Sequence, residues 1–575
     1  MSTTARRALR GVPAAPGIAI GPYVRYERQA IASEGQARDV TAEVKRLADA
    51  GEAVARDSER VADQLRRSGH KSEARIFDAH AEIARDPALH DDAIARIMAT
   101  RATASGAISA AAAATAELLR GLDDPILAGR ASDVVDVGDR IARTAAGAAG
   151  ATFALAAPSV VIAEDLPPSV TATLPRDLVL AIVLEGSSPT AHAAILARAY
   201  GIPAVVGASD LRALLDGLAP GTRLAVDGAT GEVVVAPDAD AVAEFEVRGQ
   251  AVASARAQAR ADASLAAETR DGTKVQLLAN IGTPDEASAA RALGASGVGL
   301  FRTEFLFLER DRAPSEDEQT RAYTTAVAAF APAPVTIRLL DVGGDKPITY
   351  LPLPREDNPF LGVRALRLAS THRELFVTQL RACYRAARAG RVKVMAPMIA
   401  DAADVQVLLD LAREARDGLA ADDRGDVELG VMIEIPSAVL AADGFFPSIS
   451  FASLGTNDLL QYTLAADRGN AALERYRDPL HPAHLALIGL AVAAADRHGI
   501  ELSVCGEMAG DPTAALVLVG LGLRSLSMTA TSLAAVRRAI RATSLADLER
   551  GARAALGDAT AAEARARLVD PGRQY

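Results

Sequence analysis

Residues 185–207 read Glu-Gly-Ser-Ser-Pro-Thr-Ala-His-Ala-Ala-Ile-Leu-Ala-Arg-Ala-Tyr-Gly-Ile-Pro-Ala-Val-Val-Gly, and they follow an apolar run at 178–184. The apolar run predicts a buried strand, the Gly-Ser-Ser-Pro turn ends it, and the Ala- and Leu-rich residues beyond predict a helix. His192 therefore falls in the first turn of a helix.

The start of a helix is a chemically special place for a histidine. The helix dipole is positive there and the first amide groups are unpaired, so this end binds phosphate and keeps an imidazole neutral. A neutral His192 can accept a phosphoryl group and pass it on. An isolated histidine near a helix start is, however, more often a cap or a packed side chain.

The sequence around His192 adds a resemblance. Thr190-Ala191-His192, followed by Ala-Ile-Leu-Ala-Arg-x-x-Gly-Ile-Pro-Ala-Val-Val-Gly, resembles the phosphohistidine segment of enzymes that exchange phosphate with phosphoenolpyruvate. These are Enzyme I of the sugar phosphotransferase system, phosphoenolpyruvate synthase and pyruvate phosphate dikinase. The chain departs from them at Ser187-Ser188, where Gly-Gly is usual, and at Ala191, where Ser or Cys is frequent. The serines leave the mobility of the loop open.

Short apolar runs separated by turns predict a compact α/β domain around His192. They lie at 159–163, 178–184, 203–206, 223–227 and 232–235. A turn-rich start at 11–22 ends in one more short strand.

Residues 33–147 interrupt this domain with apolar residues at spacings of three, four and seven, which predicts an all-helical insertion. The insertion has no obvious catalytic group, so we expect it to present a docking surface. The candidates for that surface are Glu73, Asp78, His80 and Glu82. The alternative for each of them is an ordinary solvated helix face.

An Ala-, Arg- and Glu-rich segment at 238–270 predicts a connecting helix, and beyond it apolar runs alternate with helical patterns. Eight such runs predict a (β/α)8 barrel, whose chemistry lies at the carboxyl ends of its strands. The candidate strands are 275–281, 297–301, 335–341, 361–364, 392–398, 429–435, 449–455 and 502–505.

Unusual polar residues follow the carboxyl ends of these candidate strands. Arg302 follows the second candidate strand, Arg338 and Asp341 end the third, and Arg364 ends the fourth. Glu434 ends the sixth strand. Asn457 and Asp458 follow the seventh strand, with Arg468 further along the chain, and Cys505 ends the eighth. Any one such arginine is best explained as a surface ion pair. Four that converge on one mouth with two carboxylates and a thiol indicate a site.

The chemistry of these groups is consistent. Guanidinium groups bind phosphate or carboxylate through paired hydrogen bonds, so several of them suit a small anionic substrate, and Lys346 would add a point charge. Glu434 and Asp458 are hard oxygen ligands for Mg²⁺. Phosphoryl transfer from phosphoenolpyruvate leaves an enolate that needs a proton, and Cys505 is placed to supply it. The alternative for Cys505 is a buried, inert thiol.

Residues 271–530 resemble the phosphoenolpyruvate-binding barrel of the Enzyme I family, and with residues 1–235 the resemblance covers nearly the whole chain. It implies that Nε2 of His192 is phosphorylated, that Glu434 and Asp458 bind Mg²⁺, and that Cys505 protonates enolpyruvate. The residues that it implies at phosphoenolpyruvate are Arg302, Arg338, Lys346, Arg364, Asn457, Asp458 and Arg468.

The same resemblance implies a domain plan and a partner. The histidine domain would comprise residues 1–32 and 148–237 and would swivel, and residues 33–147 would bind the acceptor protein HPr. Residues 238–270 would connect the histidine domain to the barrel. Residues 271–575 would form the barrel and a homodimer. Ile76-Phe77-Asp78-Ala79-His80 resembles the Ile-Phe-x-x-His segment of the HPr-binding helices. The expectation is a multidomain α/β phosphotransferase that takes the first step of sugar uptake.

Two alternatives stay open. Phosphoenolpyruvate synthase and the dikinase share the histidine domain and the barrel, but they need a large ATP-binding module, and no Gly-rich nucleotide loop is recognisable in this sequence. A regulatory phosphorelay scaffold without turnover would be expected to lack His192, Cys505 or an arginine, and all are present. The start of the chain, almost at the histidine domain, favours the sugar-uptake branch over a nitrogen-regulatory relative with an extra amino-terminal domain.

The composition argues against several other classes. The chain carries 62 basic and 73 acidic residues, and its net charge of −11 argues against a nucleic-acid binder. Its 2 cysteines predict neither a disulfide framework nor a cysteine-ligated zinc site. The longest bland run, at 107–116, is too short to span a bilayer, and residues 1–10 lack the apolar core of a signal peptide. We therefore expect a cytoplasmic protein without membrane insertion.

Overall fold

Strands and helices alternate through most of the chain, and they fall into two units, Met1–Ala255 and Arg256–Tyr575. The computed structural model describes residues 7–27, 36–67, 71–121, 130–148, 153, 155–186, 192–219, 221–308, 310, 312–343, 348, 350–351, 353, 356–468 and 470–569.

The first unit is built on one sheet with the strand order β1-β8-β7-β3-β4-β5-β6-β2. Its strands are β1 (Ala8–Arg10), β2 (Val12–Ala15), β3 (Ile18–Arg25), β4 (Ser159–Ala163), β5 (Val179–Leu184), β6 (Ala204–Val206), β7 (Arg223–Asp227) and β8 (Glu232–Val235). Its helices are α1 (Val40–Arg67), α2 (Lys71–Ala84), α3 (Pro87–Thr100), α4 (Ala104–Arg120), α5 (Ala131–Ala145), α6 (Pro168–Thr173), α7 (His192–Tyr200), α8 (Leu211–Leu215) and α9 (Ala239–Ala261).

Strands β3, β4, β5 and β6 run parallel and form the centre of this sheet. Successive residues of β4 and β5 alternate between two apolar clusters, so both faces of these strands are covered. Helix α7 packs into one cluster and α8 into the other. The predicted α/β domain around His192 is confirmed.

The described residues between β3 and β4 form α1 to α5, so the predicted all-helical insertion is confirmed. Leu47, Val54 and Leu65 of α1 are buried, as their spacing predicts. Helix α3 begins after Asp86, whose carboxylate accepts a hydrogen bond from a first-turn amide at 2.8 Å. Pro87 then occupies the first helical position, where its missing N–H costs nothing.

Two contacts join the insertion to helices α6 and α7 of the α/β domain. Asp136 of α5 accepts hydrogen bonds from the amide of Ser169, at 3.3 Å, and from its hydroxyl, at 2.7 Å. Tyr200, the last residue of α7, packs against an apolar cluster of α1 and α2 that includes Phe77. The helix that begins at His192 therefore contacts the insertion at its other end.

Helix α9 is anchored at its start and exposed beyond. Phe245 is fully buried against the sheet, and Arg248 pairs with Asp227 and, at 2.9 Å, with Glu232. Every described side chain from 250 to 261 is exposed. The first half of α9 is therefore packed against the sheet, and its second half is exposed to solvent.

The second unit is a closed barrel of eight parallel strands, and the predicted (β/α)8 fold is confirmed. Its strands are β9 (Gln276–Ile281), β10 (Val298–Phe301), β11 (Val335–Arg338), β12 (Val392–Ala396), β13 (Val427–Ile433), β14 (Phe451–Leu454), β15 (Glu501–Val504) and β16 (Ser525–Thr529). Its helices are α10 (Glu286–Ala292), α11 (Glu316–Phe330), α12 (Arg373–Ala386), α13 (Ala402–Asp417), α14 (Pro436–Leu440), α15 (Thr456–Leu464), α16 (Pro482–His498), α17 (Pro512–Gly520), α18 (Leu533–Arg541), α19 (Leu545–Leu556) and α20 (Ala561–Val569). Among the residues described above, no helix combines the length and the apolar character needed to cross a membrane.

The predicted fourth strand, 361–364, is wrong. Leu361 is 64% exposed and Val363 is 40% exposed, so these apolar residues lie on a surface loop after β11 and not in the sheet. The last strand of the barrel, β16, is absent from the predicted set because its sequence alternates serine with apolar residues. Ser527 faces the barrel interior, where a hydroxyl finds polar partners, and only its neighbours face the helices.

This correction changes the order of the catalytic strands. Glu434 follows the fifth strand, Asn457 and Asp458 follow the sixth, and Cys505 follows the seventh. Arg364 lies on the loop after the third strand. All five residues stay at the carboxyl end of the barrel.

A buried histidine makes the barrel sensitive to acid. His484 of α16 is fully buried, and its Nδ1 lies 2.8 Å from the carbonyl oxygen of Pro479. Burial lowers the pKa of His484 from 6.5 to about 4. The unfolded chain therefore binds a proton between those pH values that the folded chain does not bind, so stability is lost as pH falls through that window.

We expect the thermal unfolding midpoint of the second unit to decline between pH 6.5 and 4, and to decline less in His484→Gln because glutamine does not titrate. Differential scanning calorimetry across this range measures both slopes. Equal slopes in the two proteins would contradict the assignment of acid sensitivity to His484.

Candidate active site

His192 begins the helix that comes next in the chain after β5. Residues 187–191, Ser187 and Ser188 among them, lie outside the described residues, as does the His192 side chain. Ala193, Ala194 and Ala197 are buried against the sheet, so packing fixes the start of the helix. The predicted place of His192 in a first helical turn is confirmed, and its phosphorylation stays a prediction.

The barrel collects most of the other predicted side chains at one end. Arg338 is the last residue of β11, and Glu434 and Cys505 directly follow β13 and β15. Asn457 and Asp458 lie in the first turn of α15, directly after β14. The carboxyl ends of parallel barrel strands meet at one face, so these side chains converge there.

Arg364 binds several other residues of this face and is only 3% exposed. Its Nη2 donates to both carboxylate oxygens of Asp341 at 2.9 Å and to Oδ2 of Asp458 at 3.3 Å. Its Nη1 donates to the Tyr462 hydroxyl at 3.3 Å. Burial opposes the charge, but Asp341, Asp458 and Glu434 outweigh it and hold the pKa of Arg364 above its ordinary value. The guanidinium is charged and held in one orientation.

Arg338 forms a second buried ion pair beside the first. Its Nη2 donates to Oε1 of Glu304 at 2.5 Å, and its Nη1 lies 3.4 Å from Oδ2 of Asp341. Burial again opposes the charge, and the carboxylates, Glu304 above all, raise the pKa of Arg338. Asp341 joins the two arginines, so both guanidinium groups are oriented by the protein itself.

Glu434 faces the same cluster and is 2% exposed. Burial, followed by repulsion from Asp458 and Asp341, raises the pKa of Glu434 to about 8. Its Oε1 accepts a hydrogen bond of 2.6 Å from the amide of Met398, a residue held at φ 57° in the left-handed region. Gly455 leaves room for this carboxylate, because a Cβ there would lie 2.9 Å from Oε2 of Glu434.

Arg468 and Asn457 lie at the rim of the cluster. Nη1 of Arg468 is 3.2 Å from Oδ1 of Asp458, and the Arg468 side chain is 38% exposed. Oδ1 of Asn457 accepts a hydrogen bond of 3.0 Å from the amide of Glu507, in the loop after Cys505. A partly exposed guanidinium here can turn toward a ligand without breaking the buried pairs.

Arg302 directly follows β10 and is also partly exposed. Its charge acts on the thiol of Cys505, which places it on the same face. Lys346 lies outside the described residues.

Cys505 is buried at the centre of this face, 2% exposed. Its Sγ donates to the carbonyl oxygen of Leu454 at 3.6 Å. Burial raises the pKa of the thiol to about 11, although the charges of Arg338 and Arg302 act in the opposite direction. The thiol therefore keeps its proton at neutral pH and can serve as an acid.

Three residues of this site are missing from the sequence-based prediction: Glu304, Tyr462 and Asn280. Glu304 lies two residues after Arg302, and Asn280 is the last residue but one of β9, so the search at strand ends would have found both. Tyr462 lies in the middle of α15 and carries no such signal. Each of the three binds another protein group, which composition and spacing do not reveal.

The four candidates for a docking surface fare differently. Glu82 is exposed, Asp78 is paired with Arg66 at 2.5 Å, and the side chain of Glu73 lies outside the described residues. His80 is fully buried, 3.6 Å from Oδ1 of Asp133, so its predicted surface position is wrong. A helical spacing cannot tell a solvated face from one that a helix more than 50 residues later covers.

Comparison with known proteins identifies the family. Residues 256–545 match the PEP-binding domain of PEP-utilising enzymes, residues 10–130 match their N-terminal domain, and residues 155–231 match their mobile domain. The chain belongs to the family of PEP-utilising enzymes.

Its relatives within this family share nearly its whole length. It is 44% identical to the phosphoenolpyruvate-protein phosphotransferase of Streptomyces coelicolor over 97% of this chain and 98% of that one. The enzyme of the same name from Geobacillus stearothermophilus is 39% identical over 93% of each chain. The multiphosphoryl transfer protein of Rhodobacter capsulatus is 40% identical over 98% of this chain and 68% of its own.

These relatives confirm the family resemblance seen in the sequence. This PEP-utilising enzyme is a member of the phosphoenolpyruvate-protein phosphotransferase family, and the predicted enzyme class, a transferase, is confirmed with it.

Proposed function

We propose that this chain transfers the phosphoryl group of phosphoenolpyruvate to His192 and then to a histidine of an HPr-type acceptor, releasing pyruvate. The reaction would be the first step of sugar uptake by a phosphotransferase system. The observation that carries the proposal is the barrel face where Arg338 and Arg364, both buried and oriented, surround carboxylates beside the Cys505 thiol.

The arginines suit the charge of phosphoenolpyruvate. Arg338 and Arg364 are fixed by buried carboxylates, so they need no reorganisation when a charged ligand arrives, which is the condition for strong electrostatic stabilisation of a transition state. Arg302 and Arg468 are more exposed and would close on the phosphoryl and carboxylate groups. Asn457, Asp458 and, in our proposal, Lys346 would complete the contacts.

The donor set at this face fits Mg²⁺. Glu434 and Asp458 offer hard oxygens, and Mg²⁺ is usually held by one or two carboxylates together with substrate oxygens. Burial, followed by repulsion from Asp458 and Asp341, raises the pKa of Glu434, and a divalent cation bound there would favour its ionised form. When bound, the ion would neutralise charge on the phosphoryl group.

The proposed transfer needs one acid and one nucleophile from the chain. An imidazole nitrogen of His192 attacks phosphorus, the bond from phosphorus to the enol oxygen breaks, and an enolate leaves. Cys505 gives its proton to the terminal carbon of that enolate. Its raised pKa supports this role, because the thiol is protonated throughout the neutral range.

The proposed domain roles follow the sequence. Residues 1–32 and 148–237 would carry the phosphohistidine, 238–270 would allow it to swivel, and 271–575 would bind phosphoenolpyruvate and form a homodimer. Residues 33–147 would dock HPr, with Glu82 and Asp78 at the surface. The contact of Tyr200 with the cluster around Phe77 supports docking there, because it brings the helix of His192 against the insertion. We propose a cytoplasmic location.

A phosphorylation assay tests this function. We expect the protein, incubated with phosphoenolpyruvate and Mg²⁺ but without nucleotide, to gain one acid-labile, base-stable phosphate measured by intact mass. His192→Ala should lose the gain completely, whereas His372→Ala, which removes an imidazole of the barrel, should keep it. No gain in the unmodified protein, or a gain that requires ATP, would contradict the proposal.

A further inference from the structure

Cys505 directly follows β15, whose pairing with β16 has the fewest residue pairs in the barrel. Strands β15 and β16 share one residue pair, Val504 with Leu526, whereas β16 and β9 share five, from Ser525 with Gln276 to Thr529 with Asn280. On its other side Cys505 is held by β14, because its amide donates to the carbonyl of Leu454 at 3.0 Å. The side of Cys505 that faces β16 needs another restraint.

Asn280 supplies that restraint from two strands away. Its Nδ2 donates to the carbonyl oxygen of Cys505 at 3.0 Å, so the side chain reaches across β16 to the end of β15. Its Oδ1 accepts a hydrogen bond of 2.6 Å from the hydroxyl of Ser527, which is fully buried. The Cys505 carbonyl can only accept, so it requires the amide nitrogen of Asn280, and the Ser527 hydroxyl, which donates to Oδ1, holds the other end of the same amide.

The surroundings of the thiol make this backbone restraint important. The side chain of Cys505 packs with Leu300, Met395, Met432 and Phe451, which offer contact but little direction. The thiol's own hydrogen bond, to the carbonyl oxygen of Leu454, is long at 3.6 Å, so the place of the thiol also depends on its backbone, which Leu454 holds on one side and Asn280 on the other.

We propose that Asn280, oriented by Ser527, is a positioning residue that places the thiol of Cys505 for proton delivery. The inference rests on the proposed function. In that step the bond from Sγ to hydrogen breaks, the electron pair of the enolate forms the new C–H bond at the terminal carbon, and the thiolate takes a proton back from water. Asn280 itself neither gives nor receives a proton.

The test separates proton delivery from phosphoryl transfer in single turnovers with phosphoenolpyruvate and Mg²⁺. Phosphohistidine is followed by quenched-flow mass measurement, and pyruvate by its reduction with lactate dehydrogenase, which does not act on the enol. Asn280→Asp keeps the shape and the Ser527 hydrogen bond, but it sets a carboxylate oxygen against the Cys505 carbonyl. We expect phosphohistidine to form at the original rate and pyruvate to appear about 10- to 100-fold more slowly. A displacement of the reacting group by about 1 Å lowers a rate by about this factor.

Two further variants bracket this result. Ser527→Ala should give a smaller delay of the same kind, because the Asn280 side chain is then held by the hydrogen bond to Cys505 alone. Ser525→Ala is the matched control, since its hydroxyl donates to Gln276 at 3.4 Å on the same two strands but at their amino ends. It should leave both rates unchanged.

The outcomes are distinct. If Asn280→Asp slows phosphohistidine and pyruvate by the same factor with a lower melting temperature, Asn280 is only structural and the inference is overturned. If Asn280→Asp behaves like Ser525→Ala, the inference is overturned as well. Failure of the proposed function would show separately, as absence of phosphohistidine in the unmodified protein.

Discussion

Replacement of Arg364 by methionine is expected to lower the rate of His192 phosphorylation by phosphoenolpyruvate about 10²- to 10³-fold, the loss typical of removing one oriented donor from an active site. It should also destabilise the second unit by at most about 3–5 kcal/mol, because the buried Asp341 and Asp458 would each lose one arginine partner and keep only Arg338 and Arg468 respectively. Single-turnover phosphorylation and calorimetry measure the two effects.

The size of the stability loss depends on burial. Asp341 and Asp458 are 2% and 5% exposed, so water cannot replace the guanidinium. Methionine has nearly the same length but offers neither charge nor donors. The variant therefore reports the electrostatic role of Arg364 with little change in packing volume.

Arg391→Met is the matched control. Arg391 also forms a two-armed pair, with Glu428 at 2.6 and 3.2 Å, but its side chain is 51% exposed. An exposed pair of this kind contributes at most about 1 kcal/mol, so the control should lose little stability and no activity. Equal losses in the two variants would contradict the argument from burial.

Replacement of Cys505 by alanine is expected to slow pyruvate formation by about 10²- to 10⁴-fold, the usual contribution of a positioned general acid. Enolpyruvate would then leave the site and become pyruvate only at its spontaneous rate in water. The thiol is an acid below its pKa of about 11, so the unmodified protein should show no loss of proton delivery from this group up to about pH 9. A pH series of single turnovers measures this.

Cys383→Ala provides the comparison. Cys383 is the other cysteine of the chain, it is fully buried in α12, and burial raises its pKa as well. It belongs to the apolar core of the barrel, and burial alone accounts for the shift of its pKa. We expect a small loss of stability and no loss of rate, and a comparable fall in pyruvate formation would remove the special role assigned to Cys505.

The barrel could be predicted because buried parallel strands have continuous apolar sequences. Its catalytic end could be predicted because charged and polar residues directly follow several of these apolar runs. The assumption that an apolar run is a buried strand failed at two places. The run at 361–364 is apolar but lies on a loop, and β16 is a strand whose inward residues are serines. Neither case is resolved by hydrophobicity alone, since the inside of a barrel end is polar.

The candidate site was predicted as a set of ligands for a substrate, and the structure adds the residues that hold them. Glu304 orients Arg338, and Asn280 restrains the backbone of Cys505. Such roles depend on contacts between residues 34 and 225 positions apart, which a single sequence does not record. His80 was misplaced for the same reason, because the carboxylates that bury it belong to a later helix.

Met398 keeps a strained backbone at the edge of the site. A left-handed backbone at a residue with a side chain costs roughly 1 kcal/mol, and here that cost maintains a hydrogen bond of 2.6 Å to Glu434. Glycine would relieve the cost, but it would also remove the sulfur that lies 3.9 Å from the Tyr462 hydroxyl and would loosen the loop. The strained backbone at Met398 therefore serves two groups of the site at once, the carboxylate of Glu434 through its amide and the hydroxyl of Tyr462 through its sulfur.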